Sequence, residues 1–157
     1  MLEQISTYFT IEIVYLWLNI GVIPFWLVLL FLPNSKLGSI FVSSIFPIFI
    51  LCGAYIFIIY KSYLGSYDFG NNFSLYLGIN NLSDLFSNQE FLILFWIHFL
   101  AINLFCGSWM SRDGARLSVS KYIMFFPLLI TYFIGPLGVF IYWIIRIFYA
   151  KKVSLYD

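Results

Sequence analysis

Charge is scarce in this sequence: only 10% of its 157 residues are Asp, Glu, Lys or Arg, against about 25% in an ordinary soluble domain. Too few charged groups are present to coat a water-exposed globule. Eight Lys+Arg against seven Asp+Glu leave a formal charge of +1, and the longest basic run is Lys151-Lys152. The electrostatic footprint that holds a nucleic-acid backbone is missing, so nucleic acid is not an expected partner. There is one histidine, His98, and the two cysteines, Cys52 and Cys106, both fall inside apolar runs. A metal site would need several inward His, Cys or carboxylate ligands at one level, so neither a metal centre nor a disulfide framework is expected. Phosphate-cradling glycine loops, nucleophile elbows and a Ser-His-Asp set are also missing, and no cofactor is expected. The N-terminal MLEQISTYFTIEIVYLWLN has no Arg and carries two acids, so it reads neither as a cleavable signal nor as a transit peptide.

What is abundant is apolar surface. Apolar residues make up 62% of the chain and aromatic ones 23%, with 5 Trp, 12 Tyr and 19 Phe; the mean hydropathy is +0.95. A chain this short cannot hide so much inside itself, and much of it must face lipid. A spanning helix needs about 20 apolar residues, and four stretches qualify: about 8–32, 40–60, 91–110 and 122–149. The expected fold is all-α, a bundle of four transmembrane helices forming one domain over residues 1–157, without internal repeat. The connection 61–90 is rich in Gly, Asn, Ser and Tyr, and within it residues 81–86 suit a short amphipathic turn on the membrane surface.

The fourth stretch is too long for a straight crossing, since about 28 residues at 1.5 Å make ~42 Å against a hydrocarbon layer of ~30 Å. Gly135-Pro136-Leu137-Gly138 lies at its middle. Proline removes a backbone hydrogen bond there, so a kink at Gly135-Pro136 packed against another helix is expected. With four crossings the cations divide four (Lys61, Arg146, Lys151, Lys152) against four (Lys36, Arg112, Arg116, Lys121), and the positive-inside rule is silent. A re-entrant hairpin in place of the fourth crossing would make the division seven against one.

Polar groups inside the apolar runs are few: Glu12, Asn19, His98, Asn103 and Arg146. Each is costly in lipid and is expected to face protein. Asn19 and His98 lie about 9 and 10.5 Å into their parallel helices, so His98 is expected to point into the bundle with Asn19 or another polar group in reach. His98 is the best acid/base candidate, with a purely structural role for it weighed evenly. Arg146 approaches a level at which Glu12 or Glu90 could neutralise it. Asn103, Gly107, Ser111 and Gly114 share nearly one stripe, which reads as a close helix–helix contact. Asp113, near the headgroups, is expected to draw Asn34 or Lys36 from the first connection.

The string Trp96-Ile-His98-Phe-Leu-Ala-Ile-Asn103-Leu-Phe-Cys-Gly107-Ser108-Trp109, followed by Asp113, Gly135-Pro136-Leu137-Gly138 and Arg146, resembles the abscisic-acid-deficient-four-like family of neoxanthin-synthase-like membrane proteins. Pro33-Asn34-Ser35-Lys36 fits the same pattern, so the resemblance runs from about residue 8 to 149. It implies a cofactor-free, isomerase-type protein of xanthophyll biosynthesis in a photosynthetic organism. The membrane would be a thylakoid or plasma membrane of a prokaryote, or a plastid membrane. His98 would be the catalytic acid/base group, and Glu12, Asn19, Trp96, Asn103, Trp109 and Arg146 would line a carotenoid or other long apolar ligand or supply the polar contacts of the bundle. Asn34, Lys36 and Asp113 would form an interfacial motif, beside membrane lipid. The family usually carries Asp where this chain has Asn103 and Arg where it has Ser108. Loss of both is what removal of an internal ion pair looks like, and it opens a second reading: a non-catalytic pigment- or lipid-binding subunit, or an assembly factor, of a photosynthetic membrane complex.

Overall fold

The computed structural model describes residues 9–33, 35, 36, 38 and 44–151. The elements of the described residues are all helices: α1 (Ile11–Phe31), α2 (Phe46–Leu64), a 3-10 helix (Phe69–Tyr76), α3 (Ile79–Phe86), α4 (Gln89–Arg116), α5 (Lys121–Phe133) and α6 (Gly135–Ala150). Of these, α1, α2 and α4 are long and apolar enough to cross a membrane. Their apolar residues go all round the helix, with Trp17, Phe49 and Tyr63 about 70% exposed, as expected where lipid rather than water surrounds them. The chain divides into two compact units, one of residues 1–21 with 49–100 and one of residues 22–48 with 101–157.

The fourth apolar stretch departs from the expected single kinked crossing. It is two helices, α5 of 13 residues and α6 of 16 residues, about 20 and 24 Å long, and neither reaches across ~30 Å of hydrocarbon. The break falls at Ile134, whose extended backbone (φ −138°, ψ 82°) interrupts both ladders. Pro136 stands in the first turn of α6, where its missing N–H costs nothing, so the proline follows the break and does not kink a continuous helix. The two helices fold back on each other: Gly138 lies against the Thr131 amide and the Pro127 carbonyl, which a continuous helix would hold far apart. Further along, Met124 and Leu128 of α5 share a buried cluster with Tyr142 of α6.

α4 shows which way this hairpin points. At its tip, Gly135 is pressed against Asn103; at its base, Met124 covers Gly114 and Arg146 meets Asp113. From Asn103 to Asp113 is ten residues, about 15 Å of helix, so the hairpin descends along α4 and returns. Both its ends therefore lie at the level of the α4 C-terminus. The small residues of the expected stripe make these contacts possible. Gly107 accommodates the Trp26 ring, Gly114 the Met124 sulfur, and Ser111 Oγ reaches the Pro33 carbonyl at 3.4 Å.

With the hairpin entering and leaving at the level of the α4 C-terminus, Arg112, Arg116, Lys121, Arg146 and Lys151 collect at one end of this unit, and a one-sided concentration of cations is what orients membrane proteins. In a cysteine-free background, Ser120→Cys and Lys151→Cys should react with a membrane-impermeant maleimide from the same side. Labelling of positions 120 and 151 from opposite sides would restore the fourth crossing.

Candidate functional site

The sequence spacing of α1 puts Glu12, Tyr15 and Asn19 on one face, at i, i+3 and i+7, and that of α4 does the same for Gln89, Leu92, Ile93 and Trp96. These faces line an open groove of about 440 Å³, walled by Ile11, Leu92 and Ile93 together with Tyr15 and Trp96, with Glu12 and Gln89 as its polar groups. Trp96 is held in place from two sides. Its indole N–H donates to Asn19 Oδ1 at 3.3 Å, and its ring leans on that of Tyr15 at 5.7 Å between centroids. Asn19 in turn donates from Nδ2 to the Tyr15 carbonyl at 2.7 Å, so both ends of the amide are occupied and it works as a fixed bracket. An apolar concavity with a few polar groups at one place is the usual form of a small-molecule site.

The expected contact between His98 and Asn19 is not made. His98 is exposed, with no hydrogen-bond partner among the described residues, and Asn19 takes Trp96 instead. Depth along the helices was matched correctly, but depth says nothing of azimuth: His98 lies two residues beyond Trp96, about 200° around α4, on the face turned away from the groove.

The second polar assembly is built at the base of the hairpin. Asp113, in the last turn of α4, accepts from Tyr142 Oη at 2.7 Å and Arg146 Nε at 2.7 Å on Oδ2, and from Arg116 at 3.0 Å on Oδ1. Arg146 is 1% exposed, Tyr142 fully buried and Asp113 7% exposed. Arg146 thus meets Asp113, not Glu12 or Glu90, because the hairpin brings it back to the α4 C-terminus. Its guanidinium also lies 5.5 Å from the Trp143 ring, and Trp109 packs edge-on against Tyr142 at 5.5 Å. Asn34 lies outside the described residues, and Lys36 is exposed; the donors that the structure brings to Asp113 are Tyr142, Arg116 and Arg146. One carboxylate held between the buried Arg146 and the partly exposed Arg116 fastens helices together, with every contact spent on its own members.

Asn103 is buried against Gly135, and its Nδ2 has no partner among the described residues. Ser108 is buried and partnered. Tyr15, Gln89 and Tyr142 were not singled out from sequence. Tyr15 could have been found from its i, i+3 spacing to Glu12, and Tyr142 from its i, i+4 spacing to Arg146. No group of three or more His, Cys, Asp or Glu among the described residues is arranged to hold a metal ion.

Comparison with known proteins places this architecture. The ABA DEFICIENT 4-like family matches residues 13–142, a span that includes Tyr15, Asn19 and Trp96 of the groove and the Asp113–Tyr142 contact, and begins one residue after Glu12. The chloroplastic protein ABA DEFICIENT 4 of Arabidopsis thaliana is 27% identical over 116 residues, covering 68% of this chain. This chain spans about half, 52%, of the length of that relative. No solved structure matches. Three long apolar helices, the small-residue contacts of α4 and a family match over most of the chain lead to one statement: the protein belongs to the ABA DEFICIENT 4-like family.

Proposed function

We propose that this chain is an integral membrane protein of carotenoid metabolism that holds the end ring of an epoxy-xanthophyll in the Glu12–Trp96 groove. The observation that carries the reading is the groove itself: an apolar concavity of about 440 Å³ on two helices, walled by Tyr15 and Trp96 and bearing a carboxylate. A carotenoid is roughly as long as a bilayer is thick, so its polyene runs along the apolar helices while its oxygenated ring stays near one interface. Converting an epoxide end group to an allene requires a base for a ring-adjacent proton and an acid for the epoxide oxygen. Glu12 would be that base and the Tyr15 hydroxyl that acid, since both line the groove. His98, on the opposite face of α4, would serve only a ligand bound there. The membrane is a thylakoid or plasma membrane of a photosynthetic prokaryote, or a plastid membrane.

A second reading, a non-catalytic pigment-binding subunit, is favoured by His98, exposed and without a partner among the described residues, and by Asn103 and Ser108 in place of the family's usual Asp and Arg. Expression in cells that make violaxanthin, with pigments analysed by chromatography, separates the two. On the first reading the wild type accumulates neoxanthin. Glu12→Gln loses conversion by on the order of 100-fold or more while pigment still copurifies, Trp96→Ala loses both, and His98→Ala keeps both. Pigment that binds but is never converted assigns the protein to the second reading, and a wild type that neither binds nor converts pigment defeats both.

A further inference from the structure

Outside the spanning helices, the connection between α2 and α4 folds into a polar cavity of about 400 Å³ lined by Tyr67, Asn71, Ser74, Asn81, Asp84 and Asn88, floored by buried Leu85. Its construction follows from the sequence. Asp68 caps the 3-10 helix by accepting from the Gly70 amide at 2.9 Å, and Tyr67 donates to Asn72 Oδ1 at 2.6 Å. On the other wall, Asn81, Asp84, Leu85 and Asn88 recur at i, i+3, i+4 and i+7, one face of α3 and the turn after it. Asn88 Oδ1 accepts from the Phe91 amide at 3.0 Å, capping α4. The side chains of Asn71, Ser74, Asn81 and Asp84 make no hydrogen bond among the described residues. Amide donors and acceptors, a hydroxyl and a carboxylate thus converge on one space with no protein partner.

Beside this polar space the same segment carries bare apolar side chains: Phe73, Tyr76, Leu77 and Ile79 are 74–81% exposed. Apolar groups flanking a polar cavity, next to the ends of two spanning helices, fit the headgroup level of a bilayer, where aromatic and aliphatic side chains dip into the acyl boundary. The occupant is therefore a lipid headgroup. Its charge can also be read. Among the described residues Asp84 is the only charged one lining the cavity, so none of them is a Lys or Arg that could hold a phosphate, and a phosphodiester would meet a carboxylate. What amides, hydroxyls and one carboxylate recognise is a set of neutral hydroxyl groups, each both donor and acceptor. The space of about 400 Å³ has the volume of roughly a dozen waters at ~30 Å³ each, ample for one hexose ring with its hydroxyl groups. Burial, with the charges of Glu90 and Asp68, pushes the Tyr67 hydroxyl above its ordinary range, so it stays a protonated donor to Asn72 and the wall keeps its shape at physiological pH.

We propose that the cavity between the 3-10 helix and α3 binds the uncharged hexose headgroup of a glycolipid. The test uses the full chain in nanodiscs of phosphatidylcholine, with and without a monohexosyl diacylglycerol, followed by detergent extraction and native mass spectrometry of the retained lipid. The hexosyl lipid should stay bound in preference to phosphatidylcholine, and Asn81→Ala and Asp84→Ala should each lower its retention roughly tenfold, about one lost hydrogen bond. Ser74→Ala serves as an independent variant, and circular dichroism checks that each variant remains helical. Displacement of the lipid by free methyl hexoside would support the hexose chemistry and assign the site to a soluble sugar; failure of the free sugar to compete would assign it to the lipid. Equal retention of phosphatidylcholine, preference for an anionic phospholipid, or unchanged retention in all three variants would overturn the proposal.

Discussion

Replacing Arg146 by Met should destabilise the protein by about 3–5 kcal/mol, the cost of stripping one partner from a buried ion pair. The Asp113 carboxylate would remain 7% exposed, bonded to Tyr142 and to Arg116, which is 46% exposed and screened. Its strongest neutralising partner would be gone. The hairpin base would open, because Arg146 of α6 and Asp113 of α4 are the charged groups that join the two there at 2.7 Å. Adding Asp113→Leu and Tyr142→Phe to Arg146→Met should recover most of the loss, since a buried polar network replaced whole by well-packed apolar residues is often neutral or better, whereas Asp113→Leu without Tyr142→Phe would leave the buried Tyr142 hydroxyl without its acceptor. Thermal midpoints of the purified protein in detergent, read by size-exclusion chromatography, check both. At about 2–4 °C per kcal/mol for a chain of this size, the single variant should fall by roughly 10 °C. A single variant that melts with the wild type would show that the cluster does not hold the hairpin.

Gly138→Ala should be nearly as damaging, although it adds one methyl group. A Cβ at position 138 would overlap the Thr131 amide nitrogen and stand 2.6 Å from the Pro127 carbonyl oxygen. These are backbone atoms of a packed helix and cannot swing aside, so α6 must lift off α5, at an overpacking cost of about 3 kcal/mol or more. Gly135→Ala provides a graded comparison. Its Cβ would collide with the Asn103 amide, a side chain that can turn, so the loss should be smaller and Asn103→Ala should partly relieve it. Gly53→Ala in α2 meets nothing within 4 Å and should be neutral or slightly stabilising through helix propensity. Thermal midpoints falling in the order 53, 135, 138 would confirm the hairpin packing. Equal midpoints for Gly138→Ala and Gly53→Ala would mean that α5 and α6 do not lie against each other.

The helical, lipid-facing character of the chain was legible from its residues, because the scarcity of charge and runs of about 20 apolar residues admit few other arrangements. The stripe Asn103, Gly107, Ser111 and Gly114 was legible too, since small residues at helical spacing mark where another backbone or a ring comes close, and Trp26, Met124 and Gly135 fill those places. Legibility failed at the fourth stretch. An apolar run from 122 to 149 looks the same whether it crosses or turns back, and Pro136 signals a helix start as readily as a kink. The fold-back depends on Gly138 meeting Pro127 and Thr131, a contact between positions whose relation no periodicity encodes. That contact also redirects Arg146 from Glu12 and Glu90 to Asp113.

For the candidate site, hydrophobicity and helical pitch by themselves picked out Glu12, Asn19 and His98 as polar groups inside apolar runs and set Asn19 and His98 at comparable depths, while Trp96 entered through the family resemblance. Only the tertiary structure decided which of them face one another. Rotation of α4 about its axis brings Trp96 to Asn19 and turns His98 outward, because the bulky Leu94, Ile97 and Leu100 are the residues buried on its inner side. Burial of apolar surface sets the azimuth of a helix, and a lone imidazole cannot override it.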